Sequence, residues 1–136
     1  MFIGLRNLRG REGNAMNRNL IEILVSVFMG AIGQTVLKLG ANKLDNLSLS
    51  FRTIFKDIIH ILMVPEILVG LVLFGSSFLL WIKVLTKSDL SYAYPMVSLG
   101  YVLVALLSKF LFNEPFTVNK VIGVVMIISG VFILNR

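Results

Sequence analysis

Long apolar stretches separated by short polar connections organise this chain. From Leu90 to Ser108, 19 consecutive residues carry no charge, enough for a helix across a bilayer core. Within that run Tyr94, Ser98 and Tyr101 fall at i, i+4 and i+7, so three hydroxyls share one helical face. A helix that met only lipid would have no use for such a face. Three other stretches have comparable length: about Leu20 to Leu39, Ile67 to Ile82 after Glu66, and about Phe116 to Leu134, uncharged from Val121. The stem of Lys120 can snorkel to the headgroups, which lets that last short apolar run suffice.

Residues 51–63 follow a different pattern. Phe51, Ile54, Phe55, Ile58, Ile59 and Leu62 recur at helical spacing, while Arg52, Thr53, Lys56, Asp57 and His60 fill the other side. The segment is too short and too polar to span a bilayer, and predicts an amphipathic helix lying among headgroups, capped by Ser50 or Ser48. Pro65 breaks the chain before the next span. The pattern therefore predicts an all-α integral membrane protein, with four transmembrane helices and a short interfacial helix between the first and second. Residues 1–19, with Arg6, Arg9, Arg11 and Arg18 against Glu12, read as a basic flexible arm. Residues 20–136 form a single four-helix domain. Met16 offers a second start, which would make residues 1–15 an extension.

Composition supports lipid as the solvent. Of the 136 residues 57% are hydrophobic and only 15% charged, and the mean hydropathy is +0.88. A soluble domain of this size buries only about two-thirds of the surface its chain exposes. The net charge of +6 is not a nucleic-acid footprint, because the 13 Lys and Arg residues lie between the apolar runs, where they meet headgroups and set topology. One side would hold Arg6, Arg9, Arg11, Arg18, Lys83, Lys87 and Arg136. The other would hold Lys43, Arg52, Lys56 and Lys120, with Lys38 and Lys109 near its boundary. The balance favours a cytoplasmic N-terminus. With no cysteine and a single histidine, His60, neither a thiol nor a multi-histidine metal site is available, and no cofactor is indicated. No nucleophile–base pair, phosphate loop or carboxylate dyad appears, so enzymatic chemistry has nothing to stand on.

Several polar residues inside the apolar runs are candidates for function. Glu22 is a candidate proton or cation site, because an acid within a membrane helix is costly; it also lies near enough to the start of its span to sit among headgroups. Gln34 and Lys38, one turn apart, can hold an anionic headgroup; a snorkelling lysine and a glutamine bonded to a neighbouring helix account for them equally. Tyr94, Ser98 and Tyr101 are candidates for a cavity wall, with Tyr92 as an interfacial anchor. Gly123 and Gly130, seven apart, offer a helix-packing or dimer surface.

Four segments in order resemble the drug/metabolite transporter superfamily in its small four-span members: AIGQTVLK (31–38), SYAYPMVSLGYV (91–102), NEP (113–115) and GVVMIISGVFIL (123–134). Against the small multidrug resistance branch, Gly30 stands where those proteins carry a drug-binding glutamate and Val97 where they carry a tryptophan. Against the undecaprenyl-phosphate-aminoarabinose flippase subunits and related EamA-like half-transporters, the AYPM-x-SL segment, the EP turn and the Gln34–Lys38 pair are all present. The resemblance implies a bacterial inner-membrane carrier that flips a polyprenyl-phosphate-linked sugar, as a homodimer or as a heterodimer with a similar chain. In that reading Gln34 and Lys38 attract the phosphate, and Tyr94, Ser98 and Tyr101 line the sugar's route. Two other readings stay open: a proton-coupled exporter of organic cations using Glu22, and a non-transporting subunit that stabilises another membrane enzyme.

Overall fold

The computed structural model describes the backbone of residues 2–44, 47 and 49–134, with side chains from residue 18 onward. These residues form five helices and no strand: α1 (Phe2–Ala41), α2 (Ile54–Leu62), α3 (Pro65–Leu85), α4 (Leu90–Phe112) and α5 (Val118–Leu134). The side chains of Arg6, Arg9, Arg11 and Met16, and the whole of Ser48 and Arg136, lie outside the described residues. Three segments are long and apolar enough to cross a membrane: Arg18–Ala41 within α1, then α3 and α4. The fourth apolar helix, α5, has 17 residues.

Local chemistry explains where the helices begin and end. Pro65 opens α3 at its first position, where the missing N–H costs nothing. Asn113 closes α4 in the left-handed conformation (φ 52°), which asparagine tolerates better than most residues. The NEP segment thus begins as a helix stop. Thr117 Oγ1 then accepts the Lys120 N–H at 3.4 Å at the start of α5. Helix α2 starts three residues later than the pattern of residues 51–63 predicts. Its N-cap is Thr53, without a side-chain capping bond, and Ser50 contributes only its carbonyl, which accepts the N–H groups of Thr53 and Ile54. The expected Ser50 side-chain cap is therefore absent. The Asp57 carboxylate instead accepts from the Thr53 hydroxyl (2.8 Å) and the Leu49 N–H (3.0 Å), folding the approach back onto the helix.

Small residues decide the packing of α1 on α3. Gly40 lies against Ile67, Gly33 against Gly70 and Phe74, and Gly30 against Ser77, so the two helices run antiparallel. A Cβ added at Gly33 would stand 2.8 Å from the Phe74 backbone nitrogen, a backbone-to-backbone approach that only glycine permits. Ion pairs bracket this pair at both ends: Glu22 with Lys83 and Lys87 at one, Lys43 with Glu66 at the other.

Helix α4 runs parallel to α1 and rests on its other side, with Gly100 beside Val27. Ile23, Val84, Ala93 and Met96 form the buried apolar cluster where α1, α3 and α4 meet, flanked by Trp81, Tyr92 and Val131. Elsewhere α3 and α4 scarcely touch, and α5 packs on α4 with none of its residues buried. Large apolar side chains such as Leu79, Phe110, Phe132 and Ile133 stand exposed, an arrangement suited to lipid and costly in water.

Candidate functional site

Because α3 and α4 both lean on α1 but diverge from each other, a cavity of about 250 Å³ opens between them. Its floor is α1, where Ser26, Gly30 and Gln34 recur at every fourth residue along one face. One wall carries Phe74, Ser77 and Trp81 of α3, and the other Tyr94, Val97 and Tyr101 of α4. Gly30 gives the floor its depth. A Cβ there would stand 2.8 Å from Ser77 Oγ.

The two serine hydroxyls of the cavity are already engaged. Ser77 Oγ donates to the Ser26 carbonyl at 2.7 Å, crossing from α3 to α1, and Ser26 Oγ donates to the Ile23 carbonyl at 3.1 Å. Both serines are buried, so these bonds satisfy groups that would otherwise be costly there. The other polar groups of the cavity differ. The Tyr94 and Tyr101 hydroxyls and the Gln34 amide line the cavity with no hydrogen-bond partner among the described residues. Trp81 and Tyr94 meet edge to face across the opening, with centroids 6.2 Å apart and planes at 66°. Among the described residues no charged side chain lines the cavity. The surface offers hydroxyl, amide and aromatic groups in an apolar frame, which suits a polar head rich in hydroxyls.

The structure brings Gln34, Tyr94 and Tyr101 together and leaves the other candidates apart. Ser98 is not in the lining, and its hydroxyl donates to the Pro95 carbonyl. The cavity stripe of α4 is 94, 97, 100, 101 and 104, and Ser98 falls at its edge. Lys38 lies one turn past Gln34, exposed and without an ion pair among the described residues. Glu22 is at the opposite end of the cavity, held by Lys83 and Lys87. Gly123 and Gly130 lie on α5 away from the cavity, and a Cβ at either would meet nothing within 4 Å. Among the described residues nothing packs against that face at either glycine.

Ser77 and Trp81 are cavity residues that sequence reasoning did not place there. Trp81 reads in sequence as an interfacial anchor at the end of a span; in the structure it is half-buried against Tyr94. The available signal for Ser77 was its spacing of seven from Gly70, which matches Gly33 and Gly40 on α1. Gly30 and Val97, the two positions that depart from the multidrug pattern, both face the cavity.

Comparison with known proteins shows the family of the chain. The model of the EamA-like transporter family matches residues 50–136. The chain is 30% identical over 114 residues to the "Probable 4-amino-4-deoxy-L-arabinose-phosphoundecaprenol flippase subunit ArnE" of Pseudomonas fluorescens (strain Pf0-1), covering 84% of this chain and 94% of that protein. It is 34% identical over 117 residues to the corresponding subunit ArnF of Photorhabdus laumondii subsp. laumondii, covering 83% and 93%. A shorter match, 42% over 62 residues, joins it to ArnE of Pseudomonas syringae pv. syringae, covering 46% and 57%. No solved structure matches the chain.

Proposed function

The chain belongs to the EamA-like transporter family, within the drug/metabolite transporter superfamily, and from that premise we propose that it is one half of a flippase for a lipid-linked sugar carried on undecaprenyl phosphate. The observation that carries this reading is the uncharged cavity between α3 and α4, with the free groups of Gln34, Tyr94 and Tyr101 on its wall. A sugar head exchanges water for hydroxyl and amide partners there, while the prenyl tail stays in lipid beside the gap. The relatives' names point to 4-amino-4-deoxy-L-arabinose as the first sugar to try. Its amine would meet the aromatic rings of Trp81 and the tyrosines rather than a carboxylate.

In this reading α5 is the fourth span. Its 17 residues rise about 25 Å, short of a core of about 30 Å, and tilt of neighbours and local thinning absorb the difference. Helix α2 lies among headgroups with Phe51, Phe55 and Met63 toward the acyl chains, residues that stand exposed in the isolated chain. The cavity, about 250 Å³, is too small to enclose a sugar phosphate alone, so a second four-span chain covers it, and the Gly123–Gly130 face on α5 offers a separate helix-packing contact between the two chains. The N-terminus is cytoplasmic, the basic arm of residues 1–19 continues from Phe2 as the first part of helix α1 rather than as a flexible segment, and the membrane is the bacterial inner membrane. Lys38 waits at the opposite boundary for the phosphate.

The cation-exporter reading loses ground on two observations. Glu22 is committed to two lysines, and no acid lines the cavity. The deciding experiment reconstitutes the protein in vesicles with a fluorescent short-chain polyprenyl-phosphate aminosugar and follows quenching of the outer leaflet. Protein-dependent exposure of the inner-leaflet pool is expected. Vesicles that scramble no faster than empty ones, yet take up tetraphenylphosphonium, would replace the flippase with an exporter.

A further inference from the structure

Beyond Ser26 and Trp81 the cavity ends at a charged cluster. Glu22 lies one turn before Ser26 on α1, and Lys83 two residues after Trp81 on α3. Lys83 Nζ donates to Glu22 Oε1 at 3.0 Å. Lys87, in the connection between α3 and α4, reaches Oε1 at 3.4 Å and Oε2 at 3.5 Å. Both lysines remain about half exposed, at 53% and 45%. Beside them in the same connection, the Ser88 hydroxyl is buried with no partner among the described residues.

Two ammonium groups converging on the oxygens of one carboxylate make a site for a compact oxyanion, and a phosphate ester offers more charge and more acceptors than a carboxylate does. Glu22 occupies that site as an internal stand-in. We propose that Lys83 and Lys87 form a second anion station, which takes the phosphate of the lipid carrier in exchange for Glu22. This inference rests on the flippase reading and adds to it where the phosphate is held at this end of the molecule.

Distance and charge make a second station necessary. Glu22 and Lys38 are 38 − 22 = 16 residues apart on one helix, about 24 Å at 1.5 Å per residue. One phosphate cannot touch both ends. An anion without a counter-charge is costly at either face of the hydrocarbon, so a carrier that moves it needs a cation at each. The lysines end a membrane-spanning helix, the depth at which lipid phosphates lie, which favours a lipid source over free phosphate. The exchange also does mechanical work. Once Glu22 is displaced, α1 loses its ion pairs to α3 and to the α3–α4 connection, next to the mouth of the cavity.

Ligand-induced thermal stabilisation of the detergent-solubilised protein tests this, with a short-chain polyprenyl phosphate as the probe. Glu22→Gln frees the lysines and is expected to bind about threefold tighter than wild type, the factor a partly exposed ion pair is worth. The double variant Lys83→Gln, Lys87→Gln is expected to bind at least about tenfold more weakly, as loss of charge-assisted bonds implies. Lys87→Gln alone, which leaves the closer Lys83–Glu22 pair in place, should show an intermediate loss in a normally folded protein. Unchanged or weaker binding in Glu22→Gln, or wild-type binding in the double variant, would reduce the cluster to a structural staple while leaving the flippase reading intact. An equal shift with inorganic phosphate, or with phosphatidylglycerol, would overturn the lipid carrier as the source of the anion. If wild type and every variant ignore polyprenyl phosphate, the flippase reading itself falls, and this inference falls with it.

Discussion

Gly33 and Phe74 touch backbone to backbone: a methyl group on Gly33 would sit 2.8 Å from the Phe74 amide nitrogen and 3.2 Å from its Cα. Neither atom can move without moving α3. Gly33→Ala is therefore expected to lower stability by about 1–3 kcal/mol, the usual cost of overpacking. Gly75→Ala is the control, since its Cβ would meet nothing within 4 Å. It should be neutral or gain up to about 1 kcal/mol from helix propensity. Thermal unfolding in detergent compares the two, and opposite signs are the expected result.

Gly30 and Ser77 should be energetically coupled. Gly30→Ala pushes on Ser77 Oγ at 2.8 Å, and Ser77→Gly removes the obstacle together with the bond to the Ser26 carbonyl. Ser77→Gly alone is expected to cost on the order of 1 kcal/mol or more. In a double-mutant cycle Gly30→Ala should be about 1 kcal/mol less harmful in the Ser77→Gly background than in wild type. Additive effects would mean that Ser77 relaxes freely.

The two tyrosines and Ser98 should separate in a transport assay. Tyr94→Phe keeps the ring against Trp81 but removes a cavity hydroxyl, and Tyr101→Phe removes another. Each is expected to slow lipid-linked sugar movement several-fold with little change in melting temperature, the loss of about 1 kcal/mol of binding. Ser98→Ala should transport like wild type, because its hydroxyl bonds its own helix.

Gly123→Leu with Gly130→Leu is expected to leave the melting temperature of the single chain nearly unchanged, since both face open space. The same change should abolish cross-linked dimers in native membranes. Intact cross-linking would move the proposed contact surface elsewhere.

The all-helical class and the approximate limits of the apolar helices were legible in the sequence, because uncharged runs of this length have one economical conformation in lipid. Gln34, Tyr94 and Tyr101 stood out in the sequence for a similar reason, polar groups where everything else is apolar, but in different groups: Gln34 with Lys38, and the tyrosines with Ser98. What was hidden depended on partners far away in the chain. The lysines that hold Glu22 are 61 and 65 residues distant, and no local pattern announces them. Glycine stripes on α1 and α5 look alike as text, yet among the described residues a Cβ on the α1 stripe would meet α3 and one on the α5 stripe would meet nothing within 4 Å. Ser98 shows the resolution limit of spacing arguments. Positions 94, 98 and 101 do share a face, but a cavity subtends a narrower arc than a face does, and the hydroxyl at its margin turned to Pro95.

The ion pairs at the two ends of the α1–α3 pair have a consequence for motion. Sliding α1 by one turn along α3 would break Glu22 from Lys83 and Lys43 from Glu66 together, and would drive Cβ atoms into the glycine contacts. That pair is a stator. Helix α4, with α5 behind it, rests on α1 and meets α3 chiefly at the small cluster around Val84 and at Trp81 on Tyr94, so the gap between α3 and α4 is the one that can widen. Spin labels across α1 and α3 should keep one distance as substrate binds, while labels across α3 and α4 should broaden or split. The structure thus fixes the floor and one wall of the cavity and leaves its other wall, α4, as the part that can open.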